Sequence, residues 1–332
     1  MSSHTTASTD WHERIAPDEA QRYEAYAAQM VALQRSRSAR FGSGRALHRK
    51  QIVAARGQLT VHANLPDFAR QGLFAQAGSF ETLVRLSNGS MDRAPDKVPD
   101  VRGFAIKVLG VQGDSALGNG PASSQDFLLI NQPKFAFPGS GEFVDFVLAA
   151  ARGKGALLGY LLKRYGLIGG PRRLLGLLAS ISARFSGYAT AQLFSAVPIA
   201  CGPYAVRLRL EPAAANGDAA GSAGATDFSA DFRARLAKGP LQWALQLQPF
   251  TDEPATPIED ASIDWASPYT TVATLLLPQQ DLSGAAGQAL QAQAEAGVFD
   301  PWQALAAHRP LGDVQRARKV IYFASQRERS AA

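Results

Sequence analysis

Residues 84–111 read VRLSNGSMDRAPDKVPDVRGFAIKVLGV. Two runs with apolar and polar residues in alternation, VRLSNG and VRGFAIKVLGV, flank a cluster of Gly, Asp and Pro that can only turn. The first run completes a longer one, FETLVRLSNG (80–89). LTVHANL (59–65) precedes the pair and QDFLLIN (125–131) follows it. Four short β-type runs between Leu59 and Ile130, each bounded by turn residues, point to an antiparallel sheet or barrel. The pattern returns in AVRLRLEP (205–212), LQWALQLQPF (241–250) and YTTVATLLLP (269–278), with a loop expected through 213–227. The tally is about eight strands.

Helical sequence surrounds them. Residues 21–40 hold good helix formers and neither Gly nor Pro, and the compact fold is expected to start near Phe41. Residues 143–187 shift to Leu, Ala, Gly, Lys and Arg, with no acidic residue from Arg152 until Glu211. They read as a helical insertion broken at Gly169-Gly170-Pro171. A basic amphipathic helix can lie on a membrane surface, but more often it packs its leucines inward and leaves its cations solvated. A second helical stretch spans about 283–329, interrupted near Pro301 and Pro310. Strands with helices before, within and after them make an α+β chain. Residues 1–20 read as a disordered tail, and 21–332 as one domain.

The 332 residues are 46% hydrophobic and 19% charged, which fits a folded globular chain. The polar N-terminus lacks the basic and then apolar pattern of a signal peptide, and no run nears the length of a membrane span, so a cytoplasmic location is expected. Cys201, the sole cysteine, reads as a small core residue. Net charge is +6, a modest excess without a nucleic-acid motif, and no nucleic acid is expected as a partner.

Near the end, RARKVIYFASQRER (316–329) sets four arginines and a lysine around Tyr322. At about 100° per residue on a helix, Arg318 and Arg329 fall within roughly 40° of Tyr322. A guanidinium beside a phenol oxygen favours the phenolate, a hard anionic ligand for ferric iron.

Arg318-x-x-x-Tyr322 resembles the proximal helix of catalases, in which the tyrosinate is the fifth ligand of haem iron and the arginine hydrogen-bonds it. Arg85-Leu86-Ser87 followed by Arg102-Gly103-Phe104-Ala105-Ile106-Lys107 resembles the family's Arg-Phe-Ser and Arg-Gly-Phe-Ala-x-Lys strands. FLLINQPKFAFP, WALQLQ and VFDPW follow in the family's order, so the resemblance covers about residues 45–329. It looks closest to the small bacterial catalase-like branch, which also resembles coral allene oxide synthase. The resemblance implies a closed antiparallel barrel enclosing haem b, with Tyr322 as iron ligand assisted by Arg318. Arg49, Arg85 and Arg329 would take the propionates, since a buried carboxylate needs a cationic partner, and Phe135 would stack on the porphyrin. It also implies a small peroxide or hydroperoxide substrate. Catalases commonly form tetramers, so a homo-oligomer is in keeping with it.

The other side of the iron departs from the pattern. Catalases carry Arg-x-x-His at the first barrel strand, and counting from Arg49 puts Ile52 at the histidine's place, or Ala54 if the later Arg56-Gly57 is the anchor. His48 and His62 would lie about 13 and 33 Å from Ile52 along an extended strand, and both read as surface or structural residues. The distal asparagine's place falls to Ser124 or Ser123, and serine is a poor base. On this reading hydrogen peroxide turnover is weak, and Ile52→His should raise it. The alternatives are an organic or fatty-acid hydroperoxide as substrate, a haem-binding or sensing protein without turnover, and a cofactor-free interaction protein. The last is disfavoured if its arginines would be buried and unpaired.

Overall fold

The computed structural model describes residues 6–221, 224 and 226–331. Nine strands form: β1 (Lys50–Val61), β2 (Gly78–Asn88), β3 (Arg102–Leu109), β4 (Ser124–Ile130), β5 (Leu193–Phe194), β6 (Ile199–Cys201), β7 (Tyr204–Pro212), β8 (Leu241–Pro249) and β9 (Thr270–Leu277). They are joined antiparallel in the order β5-β4-β3-β2-β1-β9-β8-β7-β6. Leu193 of β5 also pairs with Leu210 of β7. That contact closes eight strands into a barrel and leaves β6 as an addition on β7, so the expected closed antiparallel barrel is the observed one.

Side chains alternate across each strand. Val84, Leu86, Phe104, Ile106, Val108, Phe127 and Leu129 point one way and join Trp243, Leu245 and Leu275 in the main core. Arg85, Ser87, Gly103, Ala105, Lys107, Ser124 and Asp126 belong to the opposite face, in registers that pair Arg85 with Ala105, Ser87 with Gly103 and Lys107 with Asp126. This polar face carries the candidate site.

The described residues form six α-helices: α1 (Glu19–Phe41), α2 (Ser140–Arg152), α3 (Lys154–Ser182), α4 (Phe228–Lys238), α5 (Ala285–Ala296) and α6 (Asp313–Glu328), of which α4 and α5 pack on β1. Among the described residues no helix is long and apolar enough to cross a membrane. The break in the insertion falls at Gly166 (φ 76°, ψ 178°), not at Gly169–Pro171. Glycine takes a positive φ without the Cβ clash, whereas a proline near the start of a helix gives up little hydrogen bonding. Helix α4 follows the expected loop. Asp227 caps it by accepting from the Ala230 N–H at 2.9 Å, and Phe228, Phe232 and Leu236 line its buried face at helical spacing.

Residues 1–5 of the expected tail lie outside the described residues. From Ser8 onward the segment is tied to the body, unlike a disordered tail. The Ser8 N–H donates to Phe250 O, the Trp11 indole donates to Pro203 O at 2.8 Å, and Glu19 already opens α1. Arg316, on α6, holds this segment through Glu13 (2.8 Å), Glu19 (2.7 Å) and Glu259 (3.0 Å). All four side chains are only 8–11% exposed, so breaking the cluster strands buried charges. Arg316→Ala is expected to lower unfolding free energy by about 3–5 kcal/mol, measured by urea denaturation.

Acid should act on the same joint. Burial pushes the Glu13 carboxyl up, but hydrogen bonds from Arg309, the Gly312 N–H and Arg316 outweigh it and hold the group below the ordinary range. Glu19 is likewise held down by Arg316 against its burial. A carboxylate with a depressed folded-state value gives stability that is present above the unfolded value of about 4.3 and lost as pH falls through the folded one. Tryptophan fluorescence is expected to report release of Trp11 only below about pH 4.

Candidate functional site

Helix α6 packs on α1 and brings Arg318 near enough to His48, and Tyr322 near enough to Arg85, for their charges to be felt there. Its Arg318 donates from Nη2 to the Tyr322 hydroxyl oxygen at 2.9 Å, and Nη1 of the same guanidinium is held by Gln315 Oε1 at 3.1 Å. Four residues make one turn, so the sequence spacing alone brings this pair together. Tyr322 is half-buried, and Ile321 beside it packs with Phe143, Phe146 and Met91 against Met30 and Leu33.

One turn beyond Tyr322, Gln326 donates to Asp300 at 2.6 Å. The Asp300 N–H donates to Asp126, which also receives Lys107 at 2.8 Å and the Ser124 hydroxyl at 2.8 Å. Burial pushes Asp126 up to about 6 against the pull of Lys107. Ser124, the residue at the distal asparagine's expected place, thus has its proton committed to Asp126. It stands four residues along the strand from Leu128, which is paired with Ala105 beside Arg85.

The arginines divide. Arg85 reaches Gln51 Oε1 at 3.1 Å, His48 O at 3.0 Å and Glu295 Oε2 at 3.0 Å. Arg329 donates to Ala296 O at 3.0 Å and Gly297 O at 2.8 Å, where its charge meets the negative end of α5. Arg45, which sequence reasoning overlooked, contacts the same helix end through Ala294 O and Gly297 O and pairs with Glu295 at 3.2 Å. Arg93 approaches Glu295 at 3.8 Å. Burial, then the neighbouring Arg85 and Arg329, push Arg45 well below the usual guanidinium range.

Arg49 is elsewhere. Fully buried, it donates to Gly42 O, Gln34 O, Ser38 Oγ and Gly44 O, binding the carbonyls left open where α1 ends. Its expected place beside Arg85 and Arg329 is taken by Arg45. Arg85 is ion-paired with Glu295, whereas Arg49 and Arg329 are held by neutral oxygens alone and Arg49 Nε has no partner among the described residues.

Ile52 is also displaced from its expected place. The register of β1 against β2 slips between Gln51 and Val53, and Ile52 occupies the bulge, buried in the main core with its carbonyl taken by Ser229 of α4. Ala54 pairs with Arg85, but its backbone is held on both sides by Gln291 of α5. His62 is bonded to Thr274 at 2.8 Å, away from α6, as a structural residue should be.

His48 does not lie at the distance along an extended strand that was expected of it. The chain there is not extended: His48 has φ 50°, a left-handed conformation uncommon outside glycine, and its Nδ1 lies 3.0 Å from Ser87 Oγ. Burial, then Arg85, Arg318 and Arg45, push the imidazole down to about 3, so it is neutral near pH 7. The ring sits over Gly103, where an added Cβ would come within 2.6 Å of Nδ1 and 2.8 Å of Ser87 Oγ. One signal could have found it, because Arg45-Ala46-Leu47-His48 has the Arg-x-x-His spacing four residues before Arg49.

Phe135 is fixed by its N–H bond to Ala261 O, and its ring lies tilted by 59° against Phe143 at 4.9 Å and packs with Val197 and with Val314 of the first turn of α6.

No family model and no curated protein matches the chain. Solved structures do. A fungal catalase superposes with a TM-score of 0.64 at 17% identity over 87% of this chain and 59% of its own. A bacterial catalase gives 0.65 at 15% over 100% and 64%, and catalase A from Saccharomyces cerevisiae gives 0.64 at 18% over 86% and 61%. The chain has the catalase fold. It spans 59–64% of the length of these catalases. Within the catalase fold, His48 contacts Ser87 and Arg85, and the Arg318–Tyr322 pair lies close enough to act on His48, Arg85 and Arg45 through its charge.

The glycine under His48 gives a direct test of this packing. Gly103→Ala is expected to push the imidazole off Ser87, and nuclear magnetic resonance should show the His48 ring signals shifted while the fold persists. Unchanged signals would mean that the ring does not rest there.

Proposed function

We propose that the chain binds haem b through Tyr322 and breaks down hydrogen peroxide or an organic hydroperoxide. The observation that carries this reading is the Arg318–Tyr322 hydrogen bond at 2.9 Å, with the Arg318 guanidinium close enough to His48 to lower its basicity. The donor set suits the cofactor. Arg45, Arg85 and Arg93 surround one carboxylate, Glu295, while Arg329 donates to the backbone carbonyl of the same residue, and this excess of positive charge fits a group that carries two carboxylates.

Bound haem would supply the iron redox chemistry that splits a peroxide O–O bond. Tyr322 would hold the iron, and Arg318, donating to the phenol oxygen, leaves that oxygen an acceptor. Arg45, Arg85 and Arg329 would hold the carboxylates. With Nδ1–H donating to Ser87, Nε2 of His48 has a free lone pair to take a proton from one peroxide oxygen and return it to the other. This assignment removes the basis for expecting weak turnover, which rested on Ile52.

A second reading, a cofactor-free interaction protein, has its own support. Glu295 and the carbonyls at the end of α5 already satisfy the arginines. The two are separated by the absorption spectrum of protein expressed with ample haem. A Soret band with high-spin ferric charge-transfer features supports haem. A protein that stays colourless after haem titration favours the second reading.

A further inference from the structure

The insertion does not bury all its leucines. Beyond Gly166, Leu174, Leu177 and Ile181 turn inward, while Leu167 and Ile168 are 82% and 87% exposed, with Leu175 and Leu178 also exposed. At about 100° per residue, Leu167, Leu178, Pro171, Leu175 and Ile168 fall within a single arc of about 100°. The apolar stripe therefore runs on past the buried side of the helix into water, where it leaves a surface to cover. Exposed apolar surface of this extent marks an interaction site.

Charge indicates what covers it. No acidic residue occurs from Arg152 to Leu210, and Arg152, Lys154, Lys163, Arg172 and Arg184 are exposed and form no ion pair among the described residues. By contrast Arg164 is engaged with Glu142, and Arg173 donates to Ala136 O. A second copy would bring the same cations against each other in a chain of net charge +6. Leu167 and Ile168, each more than four-fifths exposed, project from the helix beside the kink as inserting side chains would.

We propose that the second half of α3 docks on an anionic lipid bilayer, with Leu167, Ile168, Leu175 and Leu178 entering the headgroup boundary and Lys163 and Arg172 facing the lipid phosphates. The gain has two parts, apolar burial in the interface and attraction to anionic headgroups. It is independent of the haem reading.

The test is co-sedimentation of the full chain with vesicles of phosphatidylcholine alone and of phosphatidylcholine mixed equally with phosphatidylglycerol. Binding to the mixed vesicles is expected to exceed binding to the neutral ones by about tenfold and to weaken at high salt, as screened attraction does. Leu167→Ser with Ile168→Ser should cut binding by about tenfold while circular dichroism is unchanged, because these side chains are already in water. Lys163→Glu with Arg172→Glu should abolish the preference for phosphatidylglycerol. Equal binding to both vesicles, or no binding, overturns the proposal. So does light scattering showing a dimer that the serine variant dissolves, which would make the occupant a second copy.

Discussion

Tyr322→Phe is expected to remove or transform the Soret band of haem-loaded protein while leaving the fold intact. Phenylalanine keeps the ring and its packing beside Ile321, and the structure loses one hydrogen bond, from Arg318. A single hydrogen bond from a charged donor is worth about 1.5–3 kcal/mol, too little by itself to unfold a domain of this size. The effect on cofactor binding should be much larger. Loss of a partner that merely supports a ligand costs about 10–100-fold in metal affinity, and loss of the axial ligand should cost at least that. Haem titration followed by absorption, with thermal unfolding as a control on the fold, gives the answer. A variant that binds haem as tightly as the wild type and shows the same charge-transfer bands would remove Tyr322 as the ligand.

The reasons why some of this was legible in sequence and some was not are physical. The pair Arg318 and Tyr322 could be placed because helix spacing is local, and four residues always make a turn. The alternation in β2 and β3 was readable because one face of each strand is buried in the barrel. Closure was legible only through the family resemblance, since it depends on β5, whose two residues are too few to carry a pattern. Arg49 was misplaced because its partners are set by where α1 ends, and that depends on tertiary packing. Ile52 and His48 were misread for a common reason. Distances along an ideal strand assume extended backbone, whereas a bulge at Ile52 and a positive φ at His48 re-aim both side chains. Neither feature has a sequence signature in a residue other than glycine. The outward leucines of α3 defied the common pattern for the same reason that they carry information: they lack a partner within the chain.

If His48 is the proton carrier, His48→Ala should lower hydrogen peroxide turnover by about 10²–10⁴-fold, the usual cost of a missing acid–base group, with the Soret band retained. Ile52→His should bring no gain, because that side chain lies in the bulge among core residues, where an imidazole would be buried without a partner. The pH profile adds a readout that a structural role would not produce. With the imidazole pushed down to about 3, the base is present at higher pH and lost only as pH falls through that value. Wild-type turnover is therefore expected to be flat between about pH 5 and 8, where an unperturbed histidine, titrating near 6.5, would show a step. Ser87→Ala, which leaves the ring without its hydrogen bond, should reduce turnover less than His48→Ala. Equal turnover in His48→Ala and the wild type, together with a gain in Ile52→His, would return the distal role to residue 52 and with it the expectation of a degenerate site.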